Sequence, residues 1–378
     1  KEYYTSCRIR RKSLMTQKPF KQIERVGDME KKNSELTYRE IYQQPESFEA
    51  INNTLGDIFS VLDKVFSENY DELIFTGCGT SLYLAQAAAH AFSTYHAIPA
   101  KAMCCSELYY FPETFVKGRK VLVLPITRKS YTTEVRMAID KVRSYPNVKT
   151  LAITCDKDSA IYNDYVILSP ETAEDSVIMT RSFTSMVYLS VVMAMYVGGK
   201  KDEITAMGNY GDSARDALKK MDALAKQVIE EHAELNLFIT LGQGIYYGVA
   251  NECMKKMKEM GLSNSESYYS LEYRHGPMSL VDENTLIILL SNPTTVSEDE
   301  KLMKQMNEYG AVTLVVGNTA SKDFVGMNYC LDLPYDYNDM QNAALIGFIG
   351  QFIGYYIAEK KEIDADTPRH LSQAIVIK

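Results

Sequence analysis

Three groups of residues in this sequence have types and spacings that can do chemistry. In Asn251-Glu-Cys-Met-Lys-Lys-Met-Lys-Glu-Met260, Glu252, Lys256 and Glu259 fall at i, i+4 and i+7, on one face of a helix. Cys253, Met254, Met257 and Met260 form an apolar stripe on another face. Two carboxylates flanking a lysine suit proton transfer between adjacent carbons, because a general base must reach the substrate and a cation holds it ionised. The same spacing also describes an amphipathic helix with solvated ion pairs, and the helix alone does not separate the two. In Ser270-Leu-Glu-Tyr-Arg-His-Gly-Pro-Met-Ser279, His275 lies in a Gly-Pro turn. A loop imidazole titrating near neutrality can shuttle protons, and Glu272 is placed to orient it or to cap the turn.

The third group is hydroxyl-rich. Leu73, Ile74 and Phe75 read as a buried strand that breaks at Gly77-Cys-Gly79, after which Thr80 and Ser81 stand at the N-cap of an alanine-rich helix. A glycine elbow and a hydroxyl-bearing helix start make an anion cradle, because free N–H groups and the positive dipole end face the turn. A second such junction, Thr127-Arg-Lys-Ser-Tyr-Thr-Thr-Glu134, follows the apolar run 120–126. It reads either as a phosphate turn at the ligand-binding edge of the sheet or as an ordinary helix start capped by Thr132 or Thr133.

The elements that must position these groups alternate between strand and helix. Apolar runs at 72–76, 120–126, 149–154 and 165–169 are separated by helical segments such as Glu134 to Arg143. That alternation predicts a doubly wound α/β domain. After a charged helical bridge, roughly Gly211 to Glu234, the pattern returns. Asn236-Leu-Phe-Ile-Thr-Leu-Gly-Gln-Gly-Ile245 is again strand, elbow and helix, with Gly242 lying 165 residues after Gly77 (242 − 77), and further runs follow at 286–291, 312–316 and 329–333. The chain therefore reads as two copies of one unit. Thr80 and Ser81 become Ile245 and Tyr246 in the second copy, so one domain keeps the phosphate hydroxyls and the other supplies the chemistry. Residues 16–70 read as largely polar helix, with Thr37 as an N-cap, Glu40 three residues on and Pro45 ending or restarting the helix.

Composition narrows the function classes. With 378 residues, 46% hydrophobic, there is room for two ordinary domains, and a net charge of -8 argues against a general nucleic-acid binder. The seven cysteines show no C-x-x-C, and neither they nor the five histidines have metal-ligand spacing, so no metal and no cofactor is expected. Reduced thiols in a cytoplasmic protein are the expectation. No apolar run reaches 18 residues; Ala343 to Ala358 reads as one buried helix, and no membrane contact is expected. Lys1 to Met15 is basic and lacks the apolar core of a signal peptide, and it is set aside from the fold.

Gly77-Cys-Gly-Thr-Ser81, Glu252 through Glu259, Arg274-His-Gly-Pro277 and Asp364-Ala-Asp-Thr-Pro-Arg-His370 together resemble the sugar isomerase (SIS) family. The likeness is to its double-domain members: the isomerase half of glucosamine-6-phosphate synthase and the galactosamine-6-phosphate deaminase/isomerases. Thr180-Arg-Ser-Phe-Thr-Ser-Met186 is similar to the latter group in particular, and the resemblance runs from about residue 37 to the end. It implies two tandem flavodoxin-like, three-layer αβα SIS domains. An N-terminal arm (1–52) would precede the first domain (53–210). A helical linker (211–234) and the second domain (235–362) would follow, with a C-terminal tail (363–378) closing the site.

The resemblance also implies roles. Glu259 would move a proton between C1 and C2, supported by Glu252 and Lys256, with His275 assisting ring opening from a neighbouring subunit of a homodimer or larger assembly. Thr80, Ser81, Thr127, Arg128, Lys129, Ser130, Thr132, Val177 and Gln373 would hold a phosphorylated sugar. Two departures bear on the reaction. The family's Ser-x-Ser-Gly phosphate turn reads Thr127-Arg128-Lys129-Ser130 here, and Gln373 stands where the synthase has a lysine that assists the open-chain sugar. With no glutaminase domain expected, the resemblance implies an amino-sugar 6-phosphate isomerase/deaminase. Alternatives are a deglycase of fructosamine 6-phosphates and a non-catalytic phosphosugar sensor.

Overall fold

The computed structural model describes residues 34–377; the expectations for Lys1 to Met15 and for the rest of the arm up to 33 lie outside the described residues. Among the described residues, ten strands form two five-stranded parallel sheets. The first contains β1 (Glu72–Gly77), β2 (Ala100–Cys104), β3 (Val121–Thr127), β4 (Val148–Thr154) and β5 (Tyr165–Leu168) in the order β2-β1-β3-β4-β5. The second contains β6 (Leu237–Gly242), β7 (Asn264–Tyr268), β8 (Thr285–Leu290), β9 (Val312–Gly317) and β10 (Tyr329–Asp332), ordered β7-β6-β8-β9-β10. The two orders are the same flavodoxin-like order, so the duplication read from the glycine elbows extends to the whole sheet. β3, β8 and β9 are buried along their full length, as helices on both faces of a parallel sheet require, and their apolar runs follow from that.

β2 and β7 are not anticipated by the apolar pattern. They occupy the same edge of their sheets, Ala-Lys-Ala-Met-Cys and Asn-Ser-Glu-Ser-Tyr, and are mostly half-buried. The elbows repeat at the level of the backbone. Gly79 has φ +58 and Gly244 φ +59, the left-handed region that glycine alone enters at little cost. A Cβ on Gly77 would lie 2.6 Å from the Ser81 backbone carbon, and one on Gly242 would lie 2.5 Å from the Tyr246 carbonyl oxygen. The N-cap of the first elbow helix (Thr80–Tyr95) is therefore Gly79, and Thr80 and Ser81 are its first two helical residues rather than caps.

The first and second elbow helices (Thr80–Tyr95 and Ile245–Glu259) pack on each other, so the two α/β units share an interface built from equivalent elements. They meet at Gly248, where a Cβ would lie 2.6 Å from the Tyr83 carbonyl oxygen and 2.8 Å from the Ala87 nitrogen. The bridge Tyr210–Glu231 is amphipathic, burying Ala214, Leu218, Met221 and Val228 against Gln44–Asn52 and Phe348–Lys360. The run 343–358 is not one helix but two, Asp339–Ile346 and Phe348–Lys360, divided at Gly347. Among the described residues no helix is long and apolar enough to cross a membrane.

Residues 34–70 fold as Glu35–Tyr42, Gln44–Asn52 and Leu55–Val65, with Pro45 in the first turn of the second helix. They are less polar in their surroundings than their composition implies, because Ile41, Phe48, Ile51 and Leu62 enter the main core. Thr37 is not the cap. The helix starts at Glu35, and the N–H groups of Leu36 and Thr37 donate to the Asp366 carboxylate at 2.9 and 2.7 Å, while the Thr37 hydroxyl donates to it at 2.6 Å. A carboxylate 329 residues away in sequence thus satisfies the helix's free donors. We expect Asp366→Ala to lower unfolding free energy by about 0.5–2 kcal/mol. Urea denaturation checks this, and an unchanged midpoint would show that the cap contributes nothing.

Candidate active site

A cleft opens at the carboxyl ends of β1 and β3, where ligands bind in open α/β sheets. Its walls bring together Thr80 and Ser81 from the first elbow, Thr127, Arg128, Lys129 and Thr132 from the turn after β3, and Val177 from the segment after β5. Glu259 and Lys255 enter from the second elbow helix, and Leu371 to Ile375, Gln373 among them, from the tail. Ser130, Glu252 and Lys256 stand behind this lining. His275 is exposed, follows the short helix Glu272–Arg274, and does not line the cleft of its own chain.

The carboxylate pair and lysine are not a solvated face. Lys256 is fully buried, and its ammonium has three acceptors: Glu252 Oε1 at 2.9 Å, Glu259 Oε2 at 2.8 Å and the Met179 carbonyl oxygen at 2.8 Å. These match its three donors. Burial pulls the Lys256 pKa down, but the two carboxylates outweigh it and hold the lysine above its ordinary value. Glu259 is treated likewise: burial raises it, and Lys256 and Lys255 together hold it below the usual carboxylate range. Glu252 behaves oppositely. Burial lifts it from its ordinary 4.5 to about 7 despite Lys256, and its Oε2 is buried without a partner. The Thr80 hydroxyl donates to Glu252 Oε1 at 3.1 Å, so the elbow and the buried triad are in direct contact. One carboxylate is ionised at the cleft wall and its neighbour titrates near neutrality, an arrangement that separates a base from a proton reservoir.

The turn after β3 is held from behind. Arg128 spends both of its Nη groups on the protein. Nη1 donates to Glu174 Oε1 at 2.7 Å and to the Ser176 carbonyl at 3.1 Å, and Nη2 to the carbonyls of Val177 and Gln373 at 2.9 and 3.0 Å. Its side chain and that of Glu174 are almost fully buried, so the pair fastens the 174–177 wall and the tail to the turn. Ser130 is engaged as well, its N–H and hydroxyl both donating to Asp156 Oδ2. The Thr127 hydroxyl donates to the Lys129 carbonyl at 2.7 Å and closes the turn. Lys129 itself, half-buried, is left facing the cleft. Gln373 donates to the Asp175 carbonyl at 2.6 Å, and Thr133 N–H donates to the Ile375 carbonyl at 3.1 Å, so the tail lies across the start of helix Thr133–Arg143.

Two residues were missed by sequence reasoning. Glu174 shows no local signal; only the fold brings it to Arg128. Lys255 sits beside Lys256 and four residues before Glu259, so the pairing was readable, but its ammonium also reaches across to the first elbow. Among the described residues, no group of histidine, cysteine, aspartate or glutamate could hold a metal ion.

Residues 234–358 match the family model of the SIS domain. Over 361 residues the chain is 24% identical to a glutamine–fructose-6-phosphate aminotransferase (isomerizing) of Francisella tularensis, covering 90% of this chain and 58% of that protein. It is 26% identical to the enzyme of that name from Sulfurisphaera tokodaii, covering 90% of this chain and 56% of the relative. The chain thus spans just over half the length of the curated relatives it matches. Among solved structures it is similar to a glucosamine-6-phosphate deaminase of Thermotoga maritima, with 26% identity, TM-score 0.74, and 90% and 99% of the two chains covered. The tagatose-6-phosphate ketose/aldose isomerase of Escherichia coli shares its fold at 20% identity, TM-score 0.79, with 91% and 96% covered. The resemblance to double-SIS proteins read from the motifs is borne out by sequence and by fold.

The raised Glu252 carboxyl makes stability depend on pH. Folded, it keeps its proton to about 7, whereas unfolded it loses it near 4.5. Its contribution to stability is therefore complete below the unfolded value and is lost as pH rises through the folded one. We expect the wild-type unfolding free energy to fall from about pH 5 to about pH 7 more steeply than that of Glu252→Gln. Urea titrations at several pH values check this, and parallel pH profiles would contradict it.

Proposed function

We propose, from these similarities and the geometry of the cleft, that this protein is a phosphosugar aldose–ketose isomerase that releases ammonia from an amino-sugar 6-phosphate. The observation that carries the reading is Glu259, held ionised against a buried ammonium at the wall of a hydroxyl-lined cleft. In this reading the phosphate lies in the turn Thr127 to Thr132, with Lys129 supplying charge, and Thr80 and Ser81 bind sugar hydroxyls. Glu259 takes the proton from C2 of the open-chain 2-amino sugar and returns it at C1, through an enolamine. The C2–N bond becomes an imine, which water hydrolyses to the ketone and ammonia. Glu252, titrating near neutrality behind the lining and bonded to Thr80, is suited to relay protons to the substrate hydroxyls through the Thr80 hydroxyl during these steps. The remote phosphate provides binding energy that orients the reacting carbons over the base.

His275 would complete the site from a neighbouring subunit, which its exposure and its absence from this chain's cleft support. Its part would be ring opening, a proton transfer that an imidazole can carry.

Incubation with hexosamine 6-phosphates should yield ketose 6-phosphate and ammonia in equal amounts. Glu259→Gln should lower turnover by roughly 10²–10⁴-fold while sugar-phosphate binding persists. Wild-type turnover in that variant would remove Glu259 from the mechanism. Release of an amine and a sugar phosphate from fructosamine 6-phosphates, with hexosamine 6-phosphates inert, would make the protein a deglycase. For the shared site, mixing Glu259→Gln with His275→Ala subunits should regenerate activity that neither has alone. No recovery after verified subunit exchange would place the whole site in one chain.

A further inference from the structure

The two cations on Glu259 are of different kinds. Lys256 is sealed, with all three donors spent on protein acceptors. Lys255 Nζ lies 3.1 Å from Glu259 Oε1, its only acceptor among the described residues, and its side chain is 26% exposed in the wall of the cleft. Its ammonium also stands against the first elbow: a Cβ on Gly79 would lie 3.2 Å from Nζ. There it approaches the positive end of helix Thr80–Tyr95, a placement that repels a cation unless an anion lies between them.

The equivalent position in the other copy shows what this site does not need structurally. His90 lies 11 residues after Gly79 (90 − 79), as Lys255 lies 11 after Gly244 (255 − 244). His90 Nε2 stands 3.1 Å from a Cβ on Gly244, so each elbow is covered by a side chain from the other unit's helix. Burial lowers the His90 imidazole from its ordinary value and so disfavours its charged form. Only the first elbow, the one with the hydroxyls, is covered by a full positive charge.

We propose that Lys255 is an exchangeable counter-ion of Glu259: an oxyanion of the substrate, either its phosphate ester or a carboxylate, draws the ammonium off Glu259 Oε1 and so frees the base only in the loaded cleft. This rests on the reading of Glu259 as the base. The charged and titratable groups around Glu259 are Lys255, Lys256 and Glu252 on its own helix and the Tyr83 phenol on the first elbow helix. Removing one of two cations lets burial raise Glu259, which strengthens it as a base at the moment the substrate is in place.

The test titrates wild type, Lys255→Gln and Lys255→Arg by calorimetry with inorganic phosphate, glucosamine 6-phosphate, glucosamine and gluconate. Loss of a charge-assisted contact should weaken the anionic probe about tenfold or more in Lys255→Gln, with recovery in Lys255→Arg and no change for glucosamine. A response to phosphate and glucosamine 6-phosphate identifies the phosphate ester as the ligand of Lys255, and a response to gluconate alone identifies a carboxylate. Equal affinities for every probe in wild type and Lys255→Gln would overturn the inference while leaving the phosphate cradle intact. Failure of the wild type to bind any anionic probe would overturn both. In kinetics, the acid limb of kcat/KM, which reports the free enzyme, should move to higher pH in Lys255→Gln, while that of kcat stays in place. A shift of both limbs together would mean that Lys255 never leaves Glu259, and would also overturn the inference.

Discussion

A fully buried ammonium is the constraint on which the arrangement of this protein depends. Taking the Lys256 charge out of water costs several kcal/mol unless its partners are close and complete. Two of those partners come from its own helix. The third, the Met179 carbonyl, comes from the segment leading into helix Arg181–Val197 of the first unit, and the Glu252 carboxylate that the lysine holds is in turn bonded to Thr80 of the first elbow. The second elbow helix therefore cannot satisfy its lysine without lying against the first unit. The need for three acceptors holds this helix, and Glu259 on it, against the first unit.

The opposite wall obeys the same rule with another ion pair. Glu174, buried, accepts from Arg128 Nη1, from the Ser182 N–H and hydroxyl at 2.7 and 2.5 Å, and from the Thr180 N–H. Met179 immediately precedes Thr180 and lies two residues after Val177, whose carbonyl accepts from Arg128, so the segment that anchors Lys256 is itself held by the Arg128–Glu174 pair. Arginine in the turn after β3 thus braces the wall of the cleft. The turn's free charge is Lys129.

Much of this was legible in sequence, because parallel strands covered on both faces must be apolar and glycine elbows must be glycine. β1, β3, β4, β6, β8 and β9 and the repeat between the units follow from those two requirements. β2 and β7 were illegible because an edge strand with half-buried positions carries no apolar run. Thr37 was misread because a cap from Asp366 leaves no mark near the helix it serves. The site was legible as a set of residue types: Glu252, Lys256 and Glu259 share a helix face in any register. What local sequence cannot express is burial. Solvated ion pairs and a sealed triad have the same spacing, and only the packing of Ile245–Glu259 on Thr80–Tyr95 distinguishes them. Arg128 illustrates the converse, a cation in the turn after β3 whose partner, Glu174, is 46 residues away.

Gly248 gives this packing a sharper meaning. Where the elbow helices cross, main chain lies against main chain, with nothing but a hydrogen on one side. The separation between Glu259 and the residues of the first elbow is thereby set by atomic radii rather than by the fit of side chains, which can shift rotamers. It is a gauge with no adjustment. Each helix also covers the other unit's elbow, so a change in this one spacing would move both Lys255 over Gly79 and His90 over Gly244. The two halves of the molecule are in this sense a single calibrated instrument, in which one missing methyl group fixes how far Glu259 stands from the first elbow.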